Sequence, residues 1–136
     1  DGNVLWSDTT NRNPHITQLT DSTVELCIQT GTGLSTNWAI FFDVETGEQS
    51  ETFHYVLGAE ENYVILGEYD SETDERSVVV QNIFDSSEYY KRYVLENASP
   101  VAADFAGIES LGDGKWEVTY LTGEDYKQEK FVISLP

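Results

Sequence analysis

Lysine and arginine are scarce: seven stand against 25 acidic residues, for a formal net charge of −18. Between Arg12 and Arg76 there is neither. Nucleic acids are bound by such cations displacing counterions from phosphates, and anionic lipid surfaces attract the same side chains. Both are excluded as partners. The single cysteine, Cys27, cannot form an internal disulfide. Flanked by apolar residues in "VELCIQT", it is expected to behave as a small buried hydrophobe. Methionine is absent, which predicts a processed or trimmed chain whose leader or longer N-terminal region lies outside this sequence. No apolar run approaches the roughly 18 residues of a membrane-spanning helix. Few lysines with many Asp, Ser, Thr and Asn residues suit an exported bacterial domain, extracellular or at the cell surface.

Catalytic motifs are missing too. No G-x-S-x-G occurs, and there are two histidines, His15 in "NPHITQ" and His54 in "TFHYVL". His54 alternates with Phe53 and Tyr55 on a strand, as a surface or rim residue would. No basic residue lies beside Cys27 to lower its pKa. The Cys and His residues are too scattered for metal ligation. "TGTGL" (30–34) opens no helix, so it reads as a loop and not a phosphate cradle. A carboxylate-pair glycoside hydrolase needs only two acids at a suitable distance. With 25 acids such a pair arises by chance, so the acid count is uninformative.

What is present is an all-β pattern on a length of 136 residues, enough for a single domain over 1–136. Three segments match: "WAIFFDVETGEQSETFHYVL" (38–57), "SVVVQNIFDSSEYYKRYVL" (77–95) and "WEVTYLTGEDYKQEKFVISL" (116–135). Each is an aromatic or β-branched run, an acidic turn, and a second run ending in leucine. Such residues suit a pleated, half-buried surface, and Gly and Asx residues supply the bends. One more strand-like run precedes each hairpin: "VELCIQT" (24–30), "NYVILGEY" (62–69) and "FAGIESL" (105–111). The ends at Leu57, Leu95 and Leu135 fall 38 and 40 residues apart. Within "WEVTYLT", Trp116, Val118 and Tyr120 alternate with Glu117, Thr119 and Leu121, which predicts one buried and one wet face.

The expected fold is an antiparallel meander of about nine or ten strands in three strand-plus-hairpin repeats. An N-terminal strand and loop (1–20) precede the repeats, near 21–57, 58–95 and 96–135. Exposed sheet edges are a liability, so closure as a small barrel or barrel-like sandwich is expected. The alternative is a set of propeller-like blades. The N-terminal "DGNVLWSDTTNRNPHITQLTD" resembles the blade-edge pattern of secreted β-propellers: Asp-Gly, an apolar strand, Ser-Asp, then Ile and Leu before a turn. That resemblance implies no active site.

"DSETDER" (70–76) falls between two strand-like runs, as a hairpin tip. Asp70, Glu72 and Asp74 stand where an EF-hand would place its first ligands, but Glu75 replaces the required Gly and Gln81 the required Glu. A loose calcium site is the remaining metal reading, and no other cofactor is implied. The aromatic residues are the better lead. Trp38 and Trp116 begin matched strands and are expected to be core wedges. In "SEYYKRY", Tyr89 and Tyr90 must point to opposite faces, so at least one is exposed beside Lys91 and Arg92, with Tyr93 following.

The expected function is a noncatalytic exported interaction or accessory domain. It would bind a protein, peptide or glycan through an aromatic-bearing sheet face. The alternatives are a lipocalin-like barrel holding a small apolar ligand and the carboxylate-pair hydrolase.

Overall fold

The computed structural model describes residues 14–29, 37–99 and 107–136. Trp6, the "TGTGL" loop, the start of "FAGIESL" and most of the propeller-like N-terminal stretch lie outside them. The described residues form 11 antiparallel strands in three sheets, with no helix, and so none long and apolar enough to cross a membrane.

The strands follow chain order. The first sheet holds β1 (Pro14–Gln18), β2 (Thr23–Gln29), β3 (Asn37–Asp43) and β4 (Phe53–His54). The second holds β5 (Val56–Glu60), β6 (Tyr63–Asp70), β7 (Glu75–Asn82) and β8 (Tyr90–Val94). The third holds β9 (Gly107–Gly112), β10 (Lys115–Thr122) and β11 (Lys127–Ser134). Within each sheet the strands adjacent in sequence pair antiparallel, as in a meander. The acidic residues build those turns. Asp43 Oδ1 accepts the Glu45 and Thr46 N–H groups at 2.9 and 3.0 Å. Asp70 Oδ1 accepts those of Glu72 and Thr73 at 2.9 and 3.4 Å. Side-chain caps of this kind close a bend locally, which is why the acids cluster there.

The expected barrel is not found. Instead the second sheet lies between the other two. Val64, Leu66 and Val79 share a buried cluster with Ala39, Phe41 and Phe53 of the first sheet. Ile65, Val78 and Val80 share another with Val118 and Ile133 of the third. Val78, Val79 and Val80 are all 0% exposed, so β7 is covered on both faces. A sheet with a layer on each face has no need to close on itself to hide its apolar side chains.

The side chains of β10 alternate, but the face expected to be wet is half-buried at Glu117, Thr119 and Leu121. Trp116, Val118 and Tyr120 pack toward the second sheet. On the opposite face the Lys130 ammonium meets Glu117 at 2.6 Å. Trp38 and Trp116 do not occupy equivalent places. Trp116 is wedged between the second and third sheets. Trp38 joins Leu26, Ile40 and Phe42 in a small cluster apart from both seams.

The chain changes sheet at two bends, each with a non-glycine residue in the left-handed region. Tyr55 (φ 57°) separates β4 from β5, and its carbonyl accepts the Gly67 N–H at 2.9 Å. Asn97 (φ 56°) follows β8, after which Ala98 bridges to Thr122 of the third sheet. These bends let one extended run serve two layers.

Candidate functional site

The basic strand singled out in the sequence is β8, at one margin of the second sheet. Its residues divide between the two faces. Toward the third sheet, Tyr89, just before the strand, meets Tyr63 edge-on at 5.6 Å. Tyr93 tilts against Phe131 at 6.0 Å, and Lys91 Nζ lies 4.8 Å from the Tyr93 ring centroid. These two tyrosines are packing groups, in the cluster that buries Val78 and Val80. On the other face, Tyr90 and Val94 are 52% and 48% exposed. Between them Arg92 is fixed by three partners: Nη1 lies 2.7 Å from Glu75 and Nε 3.5 Å from Glu68, while Nε donates to Ser77 Oγ at 3.0 Å. Of the paired tyrosines, then, Tyr90 is the exposed one.

Arg92 also lines an open cleft of about 720 Å³. It is lined also by His54 and Tyr55 at the bend, by Leu66 and Gly67, and by the run from Glu68 through Glu72. The register explains why these residues meet. Val56 pairs with Leu66, so the bend at Tyr55 stands over the end of β6 just where its side chains turn from apolar to acidic. Tyr55 and Tyr69 are 58% and 56% exposed. The Tyr69 hydroxyl donates to Asp74 Oδ1 at 2.9 Å, and the Arg76 guanidinium lies 4.8 Å from its ring centroid. By the alternation of β6, these contacts hold the Tyr69 ring on the face opposite Glu68 and Arg92.

The acids of the hairpin tip are not gathered around a common point. Asp70 caps its own turn, and hydrogen bonds from Glu72 and Thr73 hold its carboxyl below the ordinary value. Asp74 takes the Tyr69 hydroxyl, and Glu72 lines the cleft. Among the described residues there is no group of three or more His, Cys, Asp or Glu that could hold a metal ion.

Sequence reasoning placed His54 at a rim, and it lines this one. It did not find Tyr55, Glu68 and Tyr69 as cleft residues. Glu68 and Tyr69 look like ordinary strand residues, and nothing in "FHYVL" marks Tyr55 as left-handed. Cys27 lies opposite His15 in the β1–β2 register. Its thiol is pushed up to about 11 by burial, then by the Glu25 charge and a hydrogen bond to Glu25. At neutral pH it stays protonated, and a thiol is a poor nucleophile.

Glu25 is itself raised above the ordinary carboxyl value, by burial first, while its bond with Cys27 opposes the shift. In this pair the folded state holds a proton that the unfolded chain has already released. Stability therefore falls as pH rises through the window above Glu25's unfolded value, and the loss persists at neutral pH. Glu25→Gln, which keeps an acceptor for the thiol, is expected to raise the melting temperature more at pH 7 than at pH 4. Equal gains at both values would contradict the shift.

The fold and cleft together define an all-β protein of antiparallel sheets with an open polar cleft at a sheet junction. No known protein family, no curated protein and no solved structure matches the chain.

Proposed function

We propose that the chain is a noncatalytic, exported interaction domain that binds a protein, peptide or glycan where the first and second sheets meet. The observation that carries this reading is the cleft. It is open, about 720 Å³ in volume, and lined by the exposed Tyr55 together with the carboxylates of Glu68 and Glu72 and the paired Arg92. Recognition sites combine such aromatic surface with a few convergent polar groups. The thiol held protonated at Cys27 supports a noncatalytic role against nucleophilic chemistry. Export is supported by the composition, with its few lysines and its acidity.

The three sheets follow one another in the chain, and their last two strands are β3–β4, β7–β8 and β10–β11. That order supports strand-plus-hairpin repeats layered in the manner of propeller blades over repeats curled into a barrel. A lipocalin-like site needs a closed barrel around an apolar cavity, and no observation favours it. None favours a paired-carboxylate hydrolase over chance.

The reading is tested by titrating 15N-labelled protein with a panel of neutral oligosaccharides and short peptides. Saturable shift changes at Tyr55, Tyr69, Tyr90 and Arg92 are expected for at least one class. Changes confined to other surfaces, or turnover of a panel member, would overturn it.

A further inference from the structure

The cleft holds an arginine that its neighbours fix without using it up. Arg92 spends Nη1 on Glu75 at 2.7 Å, and Nε on Ser77 Oγ at 3.0 Å and Glu68 at 3.5 Å. Its second amino group, Nη2, meets no described residue, so two N–H donors are left over. Glu68 and Glu75 each engage it through one oxygen and keep the other. A guanidinium held in this way is a planar fork that loses little freedom when a ligand arrives. Glu72 and the Ser71 hydroxyl line the same cleft. So does Tyr55, which is exposed and left-handed at φ 57°. Gly, Asn or Asp adopts that backbone readily, and a bulky side chain does not. Such strain survives where the surroundings impose it, here through the bond from the Gly67 N–H to the Tyr55 carbonyl, and it gathers at ligand sites.

Resting on the binding-module reading, we propose that the cleft takes a neutral glycan. Arg92 and its flanking carboxylates bind neighbouring hydroxyls of one sugar, and a sugar ring packs on Tyr55. The polar groups select this chemistry. An ammonium answers the carboxylates but offers Arg92 no acceptor. A carboxylate answers Arg92 but meets Glu68, Glu72 and Glu75, on a chain of net charge −18. A peptide group carries its donor and its acceptor on opposite sides, so one group cannot serve the fork and its acids together. A hydroxyl accepts from Nη2 and donates to a carboxylate at once. The C–H face of a sugar ring is apolar, and tyrosine supplies contact area for it with few rotatable bonds.

The test titrates 15N-labelled protein with neutral trisaccharides of glucose, galactose and mannose, with the matching triuronates, and with blocked neutral tripeptides. At least one neutral trisaccharide is expected to shift the amides of Tyr55, Glu68 and Arg92 saturably. The triuronate of the same sugar should bind at least about tenfold more weakly. Arg92→Lys keeps a charge between Glu68 and Glu75 but removes the fork, and should weaken the trisaccharide about tenfold. Tyr55→Asn suits left-handed backbone, so it should weaken binding about tenfold without lowering the melting temperature. An equally tight triuronate, either variant unweakened, a destabilised Tyr55→Asn, or no binding of any neutral trisaccharide overturns the proposal. If the tripeptides shift the cleft while the sugars do not, the binding-module reading stands and this one falls; a cleft silent to the whole panel removes both.

Discussion

Val78→Asp and Val79→Asp are each expected to abolish folding, although the two residues are neighbours on β7 and point to opposite faces. Both are 0% exposed. Val79 is buried with Phe41 and Phe53, and Val78 with Val118 and Ile133. A carboxylate placed in either cluster has no described cation within it. It would take up a proton rather than stay charged, and the neutral acid would still lack hydrogen bonds, at a cost of about 2–7 kcal/mol. The lost burial of the isopropyl group adds about 1.5–3 kcal/mol. Domain stabilities are only about 5–15 kcal/mol, so either change is enough. In a sheet with one wet face, one of the two would be a surface substitution worth no more than about 0.5 kcal/mol. Near-ultraviolet circular dichroism of both variants decides it: one variant with native spectrum and stability contradicts burial on both faces.

Trp116→Ala is expected to cost about 3 kcal/mol, the low end for such truncations because the ring is only partly buried. Trp116 fastens the second and third sheets in two ways. Its indole N–H donates to Glu60 at 2.6 Å, and its ring lies flush on Gly58. A Cβ at position 58 would stand 2.8 and 2.9 Å from two carbons of that ring, closer than atoms can pack. Gly58→Ala should therefore cost about 1–3 kcal/mol through overpacking. In the Trp116→Ala background the same change should be close to neutral, giving a coupling of at least about 1 kcal/mol. Chemical denaturation of the four proteins measures it. Additive effects would mean that the glycine is needed for something other than the indole.

The strands were legible because their side chains state their surroundings. "WEVTYLT" alternates, and β10 turns Trp116, Val118 and Tyr120 toward the second sheet. "SVVVQ" does not alternate, and an unbroken apolar run is what a strand covered on both faces requires. That run is the clue in the sequence that sheets cover β7 on both sides. The bend at Tyr55 left no such clue. Left-handed backbone is read from glycine or Asx residues, and here a tyrosine adopts it, held by the bond from Gly67. The cleft was illegible for the same reason. His54 and Tyr55 reach Glu68 and Tyr69 only through that bend and the Val56↔Leu66 register. On β8 the alternation of Tyr89 and Tyr90 could be read, but the pinning of Arg92 by Glu68, Glu75 and Ser77 depends on three other positions.

Methyl-selective nuclear Overhauser spectroscopy tests the layering most directly. The account predicts that Val79 methyls give cross-peaks to Ala39, Phe41 or Phe53 of the first sheet, while those of Val78 and Val80 give them to Val118 or Ile133 of the third. Cross-peaks from all three valines to a single sheet, or one valine with none beyond its own sheet, would contradict it.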